Sequence, residues 1–235
     1  MKFIIDSAVF EKLPDYCVGV VAAKGIDNTK ERPEIEEMLN ASIALAEGKF
    51  LDKKVKEEPE ILPYREAFRD LGINPNKYMC SIEALFTRIS KGKGMPHINA
   101  LVDLNNAVSL KYTLPMGTHD LSASDGDMEI RFSRAGDSFI PFGAEEKETP
   151  DEGELVYAVG SDVRTRRWTW RQSEVGKIEP ETSYVFFPID GFLGFNDDKV
   201  KKATAELEAL LQKFFNCQTK SGFITKDNRE MDLTL

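Results

Sequence analysis

The chain has 235 residues, 41% of them apolar, which is enough to bury a substantial core and argues against a disordered chain. Its formal charge of −9 withholds the broad cationic surface that grips nucleic acid through counterion release, so any such contact must be a local basic patch. Cys17, Cys80 and Cys217 are odd in number and outside any CxxC spacing, which argues against a disulfide framework or a thiolate zinc site.

The apolar run after Lys2 is too short for a signal peptide, and no later stretch would span a bilayer. A cytoplasmic protein is expected, with no cofactor and no membrane or DNA partner. Phe3 to Ile5 and Tyr16 to Ala23 read as strands, the second rich in valine and ending at Lys24-Gly25. Pro33 to Phe50 reads as a helix, with proline suited to the first turn and Glu34, Glu36 and Glu37 at the favourable end of the dipole. The charged stretch Asp52 to Glu60 reads as a solvated connection.

Tyr64 to Leu71 and Ser81 to Ile89 are predicted as short helices, separated by Gly72-Ile73-Asn74-Pro75-Asn76, with Ser81 as N-cap. Ile98, Leu101, Val102, Asn105 and Val108 repeat at helical spacing. From Asp127 the texture changes to strands, at Met128 to Ser133, Glu154 to Val159, Arg164 to Gln172 and Ser183 to Pro188. Asp198 to Phe215 is an amphipathic closing helix expected to lie on the sheet, and residues 220–235 are expected to form a tail. Helices, then strands, then a closing helix describe an α+β fold, expected as one domain over residues 1–235.

The only two histidines are His97 and His119. His119-Asp120 follows Pro115-Met116-Gly117 in a segment rich in Gly, Thr and Asp, where an exposed imidazole would serve proton transfer. The alternative is a polar turn histidine beside an aspartate that caps local backbone. The order His97, His119-Asp120, then Asp125 and Asp127, is also similar to the ligand order of metal-dependent HD-type phosphohydrolases, although those enzymes use an all-helical scaffold. Glycine-rich phosphate loops, GxSxG and HExxH are absent, which removes several other hydrolase chemistries.

The run Arg164-Thr165-Arg166-Arg167-Trp168-Thr169-Trp170-Arg171 holds both tryptophans of the chain. As one strand it would align Arg164, Arg166, Trp168 and Trp170 on one face, able to stack on bases and neutralise phosphate. The competing reading makes the tryptophans core anchors and the arginines a balance to an acidic surface. Glu174 is a further polar candidate or a solvent-facing turn residue. Asp103, Asn105 and Asn106 interrupt an apolar helical pattern, which calls for buried hydrogen bonds or a pocket wall.

The run Gly94 to Leu110, through Asn99-Ala100-Leu101-Val102-Asp103-Leu104-Asn105-Asn106, resembles the heart of the B3/B4 domain, which carries Asn-x-x-Val-Asp-x-x-Asn and is the editing module of the phenylalanyl-tRNA synthetase beta subunit. Ser81-Ile82-Glu83-Ala84-Leu85, His119-Asp120-Leu121, Ile130-Arg131-Phe132 and Arg134-Ala135-Gly136-Asp137 extend the resemblance, which covers roughly residues 60–190. It implies a layered β-sandwich with packed helices. It also implies a free-standing domain that hydrolyses the ester of mischarged tRNA in trans, its partner being a tRNA acceptor end carrying an amino acid. No ligase activity is expected, since neither a class II core nor an anticodon-binding domain fits in the chain. The histidine that family members commonly carry after Pro-Met is Gly117 here, with an imidazole two residues on. By the resemblance, His119 and Asp120 would be catalytic, with Asp120 orienting His119. Asn99, Asn106 and Glu174 would bind substrate, and Arg164, Arg166 and Trp168 would hold the RNA. A noncatalytic module that binds aminoacyl-tRNA, amino acids or a partner protein is the alternative.

Overall fold

The computed structural model describes residues 1–51, 53–122 and 125–235. Alternation builds the first layer. In β2 (Tyr16–Lys24), Tyr16, Val18, Val20 and Ala22 lie in one apolar core, while Val21 and Ala23 lie in a second. β2 runs antiparallel to β8 (Tyr184–Phe192) on one side and to β9 (Gln218–Ile224) on the other. With β3 (His119–Asp120) these form a four-stranded sheet in the order β3-β8-β2-β9.

The second sheet has the order β10-β1-β4-β5-β6-β7. Its members are β1 (Lys2–Ile5), β4 (Met128–Phe132), β5 (Leu155–Val159), β6 (Asp162–Arg166), β7 (Arg171–Gln172) and β10 (Glu230–Asp232). Only the β1–β4 pair is parallel. Phe3, Ile5, Ile130 and Tyr157 of this sheet meet Tyr16, Val18 and Phe186 of the other in one continuous core, with the Phe3 and Phe186 rings 4.8 Å apart. The result is a β-sandwich.

Helices cover the other face of the four-stranded sheet. α5 (Ala100–Tyr112) starts where the Asn99 side chain accepts the Val102 amide, and ends at Thr113 in the left-handed conformation. α6 (Asp197–Phe215) puts Val200, Ala203, Leu207 and Leu211 into the second core, with Leu101, Leu104 and Val108 of α5. α2 (Pro33–Phe50) begins at proline as expected and packs along α5. α3 (Leu62–Asp70) and α4 (Ser81–Ser90) add Tyr64, Phe68, Ile82 and Phe86 to the sandwich core. The fold is therefore α+β, a layered sandwich with packed helices. Among the described residues no helix is long and apolar enough to cross a membrane.

Several boundaries differ from the sequence reading. A short helix, α1 (Ser7–Lys12), is capped by the Asp6 side chain in a stretch too brief to show periodicity. Cys80, not Ser81, occupies the N-cap of α4 and makes no side-chain cap bond. Residues 220–235 are not a tail, since β9 and β10 complete both sheets. Within the supposed solvated connection, Val55 is buried in a 3₁₀ turn and Glu60 pairs with Lys49 and Lys199.

The contact of α6 with the sheet depends on an absent side chain. A Cβ added to Gly19 of β2 would lie 2.1 Å from Thr204 Oγ1 and 2.9 Å from Val200 Cγ1, both on α6. Gly19→Ala is expected to lower stability by roughly 1–3 kcal/mol, because overpacking must push the helix off the sheet. The denaturant midpoint should fall with the slope unchanged.

Candidate functional site

The chain from Pro115 to Asp120 runs beside β8. The Gly117 amide donates to Pro188 O (3.0 Å), the Asp190 amide donates to Pro115 O (3.0 Å), and His119 pairs with Phe186. Between this segment, α5, the start of α4 and the turn after β6 lies a cavity of about 220 Å³. For scale, an engineered apolar cavity of about 150 Å³ holds benzene. Val102, Asn105 and Asn106 of α5 form one wall, Met116 to His119 another, and Thr169 to Gln172 a third. Tyr157, Trp168, Pro188 and Asp190 line it from the sandwich.

Asp190 was not singled out in the sequence. It belongs to β8, on the face turned toward the other sheet, and is 2% exposed. Tyr16 Oη, Tyr157 Oη (2.7 Å) and Trp168 Nε1 (3.0 Å) all donate to its Oδ1. Burial pushes its carboxyl up to about 6, against the opposing pull of these three donors.

His119 is buried at 2% exposure, stacked on Tyr157 with ring centroids 5.6 Å apart. It is therefore not the exposed imidazole of the sequence reading. Burial first, and the Arg164 guanidinium second, lower its pKa to about 3, so the ring is neutral at ordinary pH and a poor proton acceptor. A Cβ on Gly117 would lie 3.3 Å from His119 Nε2 and 3.2 Å from Pro188 Cγ. A side chain at 117 would thus press on the space that the imidazole of His119 uses.

Asp120 does not orient His119. Strand alternation turns it to the opposite face, where it accepts from Thr182 Oγ1 (2.7 Å), the Ser122 amide (2.7 Å) and Ser122 Oγ (2.6 Å). Glu174 sits in that same separate, shallow hollow, accepting the Gly143 amide (2.9 Å) and pairing with Lys177. Asn99 is occupied as the α5 cap and lies with His97 in a third hollow, where His97 Nδ1 is 3.0 Å from Asp103 Oδ2. Of the expected catalytic and substrate-binding residues, only His119 and Asn106 line the central cavity. The histidines and Asp120 occupy three different hollows, and no metal-binding group of His, Cys, Asp and Glu forms among the described residues, so the HD-type ligand order does not become a site.

The Arg164 to Gln172 run is not one strand. Arg167 and Trp168 both adopt left-handed backbone, with φ of 46° and 60°, ending β6 and swinging the tryptophan inward. Trp168 is wholly buried against Tyr16, Tyr64, Phe68 and Phe192, Arg164 is 2% exposed, and Arg166 makes a bidentate pair with Glu154. The expected guanidinium and indole surface of Arg164, Arg166 and Trp168 is therefore interior. What reaches the rim is the end of the same run, half-buried Trp170 and exposed Arg171, with Arg167 stacked 4.0 Å from the ring centre of Tyr78. The strand break moved the rim from one set of residues to the next.

A family model, the B3/4 domain, matches residues 63–216. The chain belongs to the B3/4 domain family. Its structure is similar to that of an N-terminal fragment of the phenylalanyl-tRNA synthetase beta-subunit from Pyrococcus horikoshii, with a TM-score of 0.48 and 8% identity. The likeness covers 92% of this chain and 49% of that fragment, so the chain spans about half its length. No curated protein matches. The central cavity of this B3/4 domain draws α4, α5, the Pro115 to Asp120 segment and the sandwich wall from inside the matched residues, while β1, β2, β9 and β10, which complete the sheets, lie outside them.

His119 and Asp190, both buried in the cavity wall, set opposite pH dependences. His119 is depressed from 6.5 to about 3, so the stability it contributes is complete above pH 6.5 and is lost as pH falls toward 3. Asp190 is raised from 3.8 to about 6, so its contribution is complete below pH 3.8 and is lost as pH rises through 6. His119→Phe is expected to abolish the acid-side loss. Below pH 6.5 the variant should gain on the parent by up to about 1.4 kcal/mol per pH unit in chemical denaturation.

Proposed function

We propose that this B3/4 domain is a free-standing editing domain that hydrolyses the ester of mischarged aminoacyl-tRNA in trans, in the cytoplasm where charged tRNA is consumed. The observation that carries this reading is the cavity. The motif helix α5 and the segment Met116 to His119 line one open-mouthed cavity of about 220 Å³, suited to an amino-acid side chain, with an aromatic and cationic rim.

The chemistry asks little of the protein. An aminoacyl ester is intrinsically labile, so water can attack its carbonyl carbon and expel the terminal ribose hydroxyl once positioned near groups that stabilise the developing oxyanion. Cys17 and Cys80 are no nucleophiles here, their thiols pushed up to about 12 mainly by burial. Neutral His119 would act through a hydrogen bond to water or ester and not as a bulk proton acceptor. Asn106, Thr118 and Gln172 supply further polar groups of the wall, and Gln172 Nε2 bonds Thr118 O (2.6 Å) to tie two walls together.

The RNA end would dock on Trp170 and Arg171, which combine a stacking surface with a guanidinium. A chain of charge −9 has only such local patches to offer, so binding should be weak and strongly salt-dependent.

Purified protein incubated with a panel of correctly and wrongly charged tRNAs should shorten the ester half-life of a subset. Trp170→Ala and Arg171→Ala should each raise KM by about tenfold with little change in kcat, as loss of one stacking or phosphate contact predicts. Unchanged half-lives across the panel, with tRNA still retarded at low salt, would replace the hydrolase by a noncatalytic binding module.

A further inference from the structure

The polar atoms of the cavity are unevenly used. The three donors to Asp190 all converge on Oδ1, while Oδ2 accepts no hydrogen bond from the described residues. Three fully buried atoms of lining residues, Asn105 Oδ1, His119 Nδ1 and Thr169 Oγ1, have no partner among the described residues. Each of these side chains is more than nine-tenths buried. Asn105 Oδ1 and, while the carboxyl is ionised, Asp190 Oδ2 can only accept, whereas His119 Nδ1 and Thr169 Oγ1 can accept or donate, so the walls hold two acceptor-only atoms without a donor.

Charge is arranged the same way. Among the described residues that line the cavity, the only charged ones are buried Asp190 and exposed Arg171 at the rim. The charged group that lines the interior is thus negative and the one at the mouth positive, with the buried Arg164 guanidinium set behind His119 and outside the lining. A buried carboxylate without a countercharge is costly, a cost visible in the rise of its pKa to about 6, and a bound cation relieves it. The ligand that fits carries a donor-only cation at one end and an anion at the other. An ammonium group has three N–H donors and no acceptor, and in an aminoacyl ester of RNA it lies one carbon from the carbonyl, with the phosphates beyond.

Building on the editing reading above, we propose that Asp190 Oδ2 receives the α-ammonium group of the bound aminoacyl moiety. The pocket therefore admits aminoacyl esters with a free amino group and refuses those whose nitrogen is acylated, as in peptidyl- and N-formylaminoacyl-tRNA. An amide nitrogen carries no charge, has a single N–H and brings a carbonyl oxygen beside the two acceptor-only atoms, Asn105 Oδ1 and Asp190 Oδ2.

The test pairs a panel of L-amino acid amides with their N-acetyl derivatives, titrated into the parent and into Asp190→Asn. The parent should bind its preferred amides at least tenfold more tightly than the acetylated partners, and Asp190→Asn should erase that ratio while leaving the N-acetyl affinities unchanged. Equal affinity for both members of each pair, binding of neither, or an unchanged ratio in a folded Asp190→Asn protein overturns the proposal. If the variant does not fold, the ratio in the parent still decides. The deacylase reading is scored separately with aminoacyl-tRNA and N-acetylaminoacyl-tRNA. Amide preference without ester loss keeps the ammonium site and removes the deacylase, whereas equal ester loss from both tRNAs keeps the deacylase and removes the ammonium site.

Discussion

The carboxylate of Asp190 is the point at which the layers of this protein are tied together. It sits on β8 between the two sheets and takes hydrogen bonds from Tyr16 on β2, Tyr157 on β5 and Trp168 at the end of β6. Its backbone oxygen accepts from Tyr64 of α3, whose hydroxyl in turn accepts from Asn196 Nδ2 just before α6. Both sheets and two helices are thus held through one residue. The carboxylate has no cationic partner to offset its burial, so three neutral donors must be held in place to make the arrangement tolerable. That requirement explains why the backbone at Arg167 and Trp168 is driven into the left-handed region, which brings the indole N–H to Asp190.

The cavity is a by-product of the same constraint. With Trp168 drawn inward, the chain turns back on β6, and residues Thr169 to Gln172, the last two paired with β6 as β7, form a wall facing α5. Strand alternation on β8 then sends Pro188 and Asp190 into that space, while Phe187 and Ile189 support the helices on the other side. Gly117 leaves room at the rim, and the imidazole of His119 lies next to that room, screened from solvent and neutral.

The elements that were legible in the sequence are those whose apolar pattern is plain. The expected bounds of α2 match to the residue and those of α6, β4 and β5 within one, whereas the repeat from Ile98 to Val108 stops four residues short of the end of α5. α6 is legible because it presents one apolar and one solvated face, while β5 is a continuous apolar run buried on both faces. The motif on α5 reaches the central cavity, yet its residues divide. Val102 and Asn106 line the cavity, whereas Asn99 caps the helix and Asp103 holds the loop before it by accepting the Ile98 amide and facing His97. Spacing along a helix does not say which of two hollows a side chain will enter. The Arg164 to Gln172 run misled because residues that alternate perfectly on paper were broken by two left-handed residues for which no glycine gave warning. Asp190 left a different signal, a lone carboxylate inside the apolar run Val185 to Phe192, which is an unusual place for a charge unless something is built around it.

Both sheets recruit their partners from opposite extremes of the chain. β1 lies between β4 and β10, and β2 lies between β8 and β9. During vectorial synthesis the two N-terminal strands leave the ribosome long before any of those partners exists. The valine-rich β2 must then wait with both hydrogen-bonding edges open, a segment well suited to pairing with the wrong chain. Closure of either sheet is consequently a late event dominated by distant contacts, which slows folding and leaves the growing chain dependent on whatever shields β2 in the meantime. The arrangement that locks the finished molecule is also what makes its birth the most exposed moment of its life.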